Sequence, residues 1–180
     1  MKLRTYKPSW EPGPSSIQLW LQDAARRRGN TLQQLPRVQV VPELSRESLA
    51  ALYRDSDAFV LPSRGEGWCL PCMEAMSSGL PLLTTNYSGP SAFMSDQNAY
   101  PIQVQRVDPT TLQAEPDAWH LQSQMRRVCT DRATAAATGR QARADVISRF
   151  SAEHVAGIVV EKLEQLAQSA DRSTQPNRRA

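Results

Sequence analysis

The run Asp57-Ala58-Phe59-Val60-Leu61, followed by Pro62-Ser63-Arg64-Gly65-Glu66-Gly67-Trp68 and then Cys69-Leu70-Pro71-Cys72-Met73-Glu74-Ala75-Met76-Ser77-Ser78-Gly79, decides the fold. Its first five residues are almost wholly apolar, the pattern of a strand covered on both faces by helices. A loop with two glycines comes next. Pro71 suits the first turn of a helix, where the missing N–H is not needed. Gly79 suits the stop of that helix. Pro81-Leu82-Leu83-Thr84-Thr85 is then a second buried strand.

The same alternation extends outward. Leu3 to Tyr6 reads as a weak strand, Pro8 to Pro14 as a turn region, and Ser15 or Ser16 as the cap of a helix to about Arg28. That helix carries Ile17, Leu21 and Ala24 on one face and stops at Gly29-Asn30. Arg37 to Val41 is a strand, and Ser45 opens a short helix through Tyr53. Gly89-Pro90 starts a short helix through Met94, and Tyr100 to Val104 is an edge strand, because Pro101 lacks a donor. Helices follow from Pro116 to Cys129, Ala133 to Arg149 and Ser151 to about Gln168, with Glu115-Pro116 as the start of the first. Strands alternating with helices predict parallel strands joined by right-handed crossovers, a Rossmann-like doubly wound α/β sheet followed by C-terminal helices. Residues 1–168 are expected to form one domain and 169–180 a disordered tail.

The chain has 180 residues, 40% of them hydrophobic and 22% charged, enough to bury the core of one domain. Net charge is +3, and the basic runs Arg26-Arg27-Arg28 and Arg126-Arg127 read as solvated helix faces, so nucleic acid is not an expected partner. Three cysteines are too few for a disulfide framework, and their number suits a reducing, cytoplasmic setting. The first residues lack the apolar core of a secretory signal. No run approaches the ~18 apolar residues of a membrane span.

In a parallel sheet, ligands bind beyond the carboxyl ends of the strands, here after Leu61 and after Thr85. The unpaired N–H groups at the start of the helix near Pro71 form an anion site, reinforced by the helix dipole. Gly65 and Gly67 allow the backbone to approach a ligand. Glu66 and Glu74 stand eight positions apart, one in the loop and one about a turn inside the helix. A phosphate would be held by the amides, and the two carboxylates would accept hydrogen bonds from hydroxyl groups. Each glutamate alone would read as a solvated surface group. The strand before them and the helix after them make the combination specific.

These residues resemble a known family. Glu66, seven intervening residues and Glu74, then Ala75-Met76-Ser77-Ser78-Gly79-Leu80-Pro81, are similar to the Glu-x7-Glu signature of bacterial-type GT-B-fold glycosyltransferases of family 4 (group 1). Asp57 to Ser63 resembles the strand before that signature, and Thr84 to Met94 the strand and donor-side loop after it. The likeness covers about residues 35 to 165 and implies the C-terminal, donor-binding domain of such an enzyme. It implies that Glu66 contacts the donor sugar as the catalytic glutamate and that Glu74 accepts from the nucleotide ribose. The backbone near Gly67, Trp68, Cys69 and Leu70 would meet the sugar and diphosphate, with Asn86, Ser88 and Gly89 lining the pocket. The implied reaction is retaining transfer from a UDP- or GDP-linked sugar, with no metal or resident cofactor. The N-terminal GT-B domain is the implied partner, missing here or separately encoded, and its absence from this length would leave the chain incomplete on its own. Lys7 and Arg64 are candidate phosphate contacts in place of the family's basic residues. The family pattern has Gly where Cys69 stands, often Arg at Leu70 and Tyr at Cys72. A non-catalytic nucleotide-sugar-binding remnant is the second reading.

Trp68-Cys69-Leu70-Pro71-Cys72 also matches the redox motif of thioredoxin-like proteins at a helix start. Such a protein would use Cys69 and Cys72 for thiol–disulfide exchange and would mix antiparallel strands into its sheet. One cysteine pair far in sequence from His120 and His154 makes no zinc signature. Both histidines read as surface or packing residues.

Overall fold

A computed structural model describes residues 2–6, 15–34, 37–41 and 44–174 of the chain. The chain divides into two compact units, 1–51 and 52–180. In the first, β1 (Lys2–Tyr6) pairs in parallel with β2 (Arg37–Val41), Leu3 opposite Val38 and Thr5 opposite Val40. The crossover between them contains α1 (Ser15–Arg27). Gly29 at φ 68° ends α1, its N–H bonded to the Arg26 carbonyl and that of Asn30 to Ala25. This left-handed stop satisfies carbonyls that the helix leaves open. Downstream, the Ser45 hydroxyl accepts from the Ser48 N–H and caps α2 (Arg46–Arg54) as the sequence predicts.

The second unit is built on three parallel strands, β3 (Phe59–Leu61), β4 (Leu82–Thr85) and β5 (Tyr100–Ile102), in that order. Strand alternation sorts their side chains to two covered faces. Phe59, Leu61 and Leu82 join Cys72, Met76, Phe93 and Ala142, which brings α3 (Leu70–Ser77) and α5 (Arg132–Phe150) to one side. Val60, Leu83, Tyr100 and Ile102 join Leu121, Val128 and Ala135, which brings α4 (Ala118–Thr130) to the other. Every residue of β4 is buried, each large apolar side chain contributing ~1.5–3 kcal/mol. This is the doubly wound α/β arrangement read from the sequence, with β5 on the edge as Pro101 requires.

Several boundaries differ from the sequence reading. The strand from Tyr100 ends at Ile102, and Val104 opens an antiparallel hairpin instead: β6 (Val104–Val107) with β7 (Ala114–Pro116). Glu115-Pro116 therefore lies in β7 and does not start a helix. The cap of α4 is Asp117, whose carboxylate accepts from the N–H groups of Trp119 and His120. His120 is a fastening residue, its Nδ1 accepting from the Gln103 N–H between β5 and β6. The final helix α6 (Ala152–Thr174) runs past the Gln168 boundary.

The stop of α3 fixes a helix pair. Gly79 at φ 78° sends its N–H to Met76, and Leu80 bonds to Ala75. Gly139 of α5 then lies against this turn. A Cβ on Gly139 would stand 2.1 Å from the Gly79 carbonyl oxygen, so only glycine permits the contact. Arg143, one helical turn on, donates to the Ser77 carbonyl. We expect Gly139→Ala to cost about 1–3 kcal/mol, or more if the helices separate, read as a lower urea midpoint.

Asp131 joins α4 to α5, and hydrogen bonds from Thr134 hold its carboxyl below the usual range. A carboxyl lowered on folding stabilises above its unfolded value and ceases to do so as pH falls through the folded one. Acidification below about the ordinary value of 3.8 should therefore lower the melting temperature, and Asp131→Ala should flatten that slope.

Candidate functional site

The loops after β3 and β4 meet over the carboxyl ends of those strands. Thr84 and Thr85 are fully buried, and their hydroxyls donate to the carbonyls of Leu61 at 2.7 Å and Ser63 at 2.6 Å. Two threonines of β4 thus steer the loop that leaves β3. Its continuation is gripped by the loop after β4. The Glu66 N–H donates to Ser88 Oγ at 2.9 Å, and the Gly89 N–H donates to the Glu66 carbonyl at 3.0 Å. Gly89 has no room for a side chain: a Cβ would stand 2.2 Å from the Gly67 oxygen and 2.8 Å from Trp68 Cα. Ser88 takes φ 54° and ψ −138°, a region ordinarily left to glycine, to make this closure.

Glu66 is half-buried, and its carboxylate has no hydrogen-bond partner among the described residues. A Cβ on Gly67 would meet nothing within 4 Å, and one on Gly65 nothing nearer than 3.9 Å. Open space therefore lies before this loop, and the glycine that close packing requires is Gly89. The N–H groups of Gly67, Trp68, Cys69 and Leu70 donate to no acceptor among the described residues. They lead into α3, whose first turn holds Pro71. An anion brought here would meet free donors and the positive end of a helix together.

Cys69 caps α3 in the left-handed conformation, φ 65° and ψ 68°. That is where the family pattern has Gly, and the Cβ costs ~1–2 kcal/mol there. Cys69 and Cys72 are joined in a disulfide, with Cα atoms 5.2 Å apart, and both are buried. The expectation of reduced thiols is thereby corrected: one helical turn brings the pair within bridging range. Only Cys129 is free. The parallel β3–β4–β5 sheet lacks the mixed strand directions of the thioredoxin-like alternative.

The Trp68 side chain packs against Phe93 at 5.4 Å and Phe150 at 5.7 Å between ring centroids. Leu70 is exposed at 69%, with no basic group in the place where the family pattern carries Arg. Asn86 is exposed, and its N–H is tied to the Ile102 carbonyl. Arg64 is exposed, and its carbonyl accepts from the Ala114 N–H at 2.8 Å. Lys7 lies outside the described residues. The loops thus bring Glu66, Gly67, Ser88 and Gly89 together, with Trp68, Cys69 and Leu70 next in the chain. Glu74 sits on α3, and its Oε2 accepts from the phenol of Tyr53 at 3.0 Å.

Two neighbours escaped the sequence reading. Tyr53 is one, since its partner is 21 positions away. The other is the β6–β7 hairpin, which hangs on the site loops through Arg64–Ala114 and through the Tyr87 phenol, a donor to the Leu112 carbonyl at 2.7 Å. Leu112 is left-handed, φ 55°, and 67% exposed at the tip. Inside the turn, Asp108 accepts from the N–H groups of Thr111 and Thr110, which lower its pKa. We expect Tyr87→Phe to release this tip, raising amide hydrogen exchange at 110–113 while leaving β4 protected; unchanged exchange would show that the bond holds nothing.

The model for "Glycosyl transferases group 1" matches residues 23–145. Glycogen synthase of Mycobacterium tuberculosis is 32% identical over 145 residues, 80% of this chain and 31% of that protein. The chain thus spans about a third of the length of the curated relative it matches. Among solved structures, sucrose-phosphate synthase from Thermosynechococcus elongatus superposes with a TM-score of 0.66 at 22% identity, covering 93% of this chain and 38% of that one. Anabaena HepE in complex with UDP and glucose gives 0.65 at 16% identity, over 91% and 40%. The C-terminal domain of a group 1 family glycosyl transferase from Francisella tularensis gives 0.58 at 15% identity, over 78% and 66%. With the Rossmann-like GT-B fold shared by these structures and a family match that includes Glu66, Glu74 and both site loops, the chain belongs to the group 1 glycosyl transferases.

Proposed function

We propose that this chain is the donor-binding domain of a retaining glycosyltransferase that takes a UDP- or GDP-linked sugar, acting in the cytoplasm. The observation that carries the reading is the row of free N–H groups from Gly67 to Leu70 at the start of α3, between Glu66 and Glu74. The diphosphate accepts from these amides. As the glycosidic bond breaks, negative charge grows on the leaving phosphate, and donors already aimed at it stabilise that state. Glu66, with an unpartnered carboxylate, accepts from hydroxyls of the transferred sugar. Glu74 accepts from the ribose, with Asn86, Ser88 and Gly89 along the pocket wall and the Arg64 guanidinium within the same loop. Sugar transfer additionally requires an acceptor-binding domain facing the site, in the same polypeptide or a separate one. Leu70 in place of Arg favours a second reading, in which the domain binds nucleotide sugar without transferring it.

Calorimetric titration with UDP-glucose and GDP-mannose tests the proposal. Saturable binding to one of them is expected, weakened about 10- to 100-fold by Glu74→Ala through loss of a charge-assisted hydrogen bond. Glu66→Ala should retain UDP or GDP itself and lose the added affinity of the sugar. No binding to either donor, with Glu74→Ala indistinguishable from the parent, overturns the reading. Binding without transfer, after addition of an acceptor-binding domain, selects the second.

A further inference from the structure

We infer that Tyr53 is a positioning residue for Glu74, fixing which carboxylate oxygen the bound nucleotide meets and so setting the preference for a ribose over a deoxyribose. The inference rests on the donor-site reading above. Glu74 lies on an exposed face of α3, where a free glutamate would sample several rotamers. Its Oε2 is instead occupied by the Tyr53 phenol at 3.0 Å. The phenol cannot follow a wandering carboxylate. Tyr53 is only 8% exposed, and its ring lies 5.9 Å from that of Phe59, the first residue of β3. The chain of support thus runs from the sheet through an aromatic pair to one carboxylate oxygen, leaving Oε1 without a partner among the described residues.

Burial, and then the bond and charge of Glu74, push the Tyr53 phenol well above its ordinary pKa. The hydroxyl therefore stays a donor throughout the neutral and mildly alkaline range. No second acceptor for it occurs among the described residues. Fixing the carboxylate in advance removes an ordering cost otherwise met on binding, and a ribose, which can donate through two adjacent hydroxyls, profits more than a 2′-deoxyribose, which keeps only the 3′ hydroxyl.

The test is calorimetry with UDP and 2′-deoxy-UDP, or the GDP pair if the parent chain binds guanine nucleotides, on the parent and Tyr53→Phe. The expected result is a ribonucleotide preference in the parent that falls about threefold to tenfold in Tyr53→Phe, with the deoxynucleotide losing less affinity than the ribonucleotide. A purely structural role would weaken both ligands equally, and that outcome, or no change in either, overturns the inference while leaving the donor-site reading intact. A parent chain that binds no nucleotide removes the donor-site reading and this inference with it. If Tyr53→Phe does not melt cooperatively, fluorotyrosine-labelled parent protein supplies the second readout. Its Tyr53 resonance should move further on adding UDP than on adding 2′-deoxy-UDP; equal movement with both ligands overturns the inference.

Discussion

The site depends on one backbone approach, that of Gly89 to Gly67 and Trp68. Nothing larger than a hydrogen fits on Gly89. The two hydrogen bonds to Glu66 are made only because the chains come that close. If the loops parted, Glu66 would lose its direction and the amides from Gly67 to Leu70 would scatter. Ser88 adopts an unfavourable conformation and Cys69 a left-handed one, each costing on the order of 1–3 kcal/mol. Cys69 carries one of those amides, and Ser88 holds the Glu66 N–H just before them. Packing beneath them, from the threonines of β4 to the Trp68–Phe93–Phe150 aromatic group, offsets that strain.

Much of this was legible from local rules. Phe59-Val60-Leu61 and Leu82-Leu83-Thr84-Thr85 announce buried strands because a sheet covered on both faces leaves no polar alternation. Gly29 and Gly79 announce helix stops because few other residues take positive φ cheaply. Glu66 and Glu74 point to the candidate site because their spacing is read together with the strand and helix around them. Gly65 and Gly67 stand in open space, and the steric demand within the protein falls on Gly89, which no local rule singles out.

What stayed hidden was set by tertiary contacts. The β6–β7 hairpin has four- and three-residue strands, polar residues and a proline, and its register contains a shift between Val104 and Arg106. Periodicity has little to work on at that length. In the sequence Tyr53 is no more than the last position of a short helix, because its polar end is defined by a residue on another helix. The Cys69–Cys72 bond depends on a backbone turn that Cys69 itself would not choose.

The short helix α3 can also be regarded as a strut. Its eight residues span roughly 12 Å at the usual rise per residue. One end is seated on α5 through Gly79, Gly139 and Arg143; the other carries the amides of the site. At that length, a tilt of about 5° at the seat displaces the far end by about 1 Å, a misplacement that can lower a rate about a hundredfold. The placement of those amides is therefore set at the opposite end of the helix, by the contact of Gly79 with Gly139.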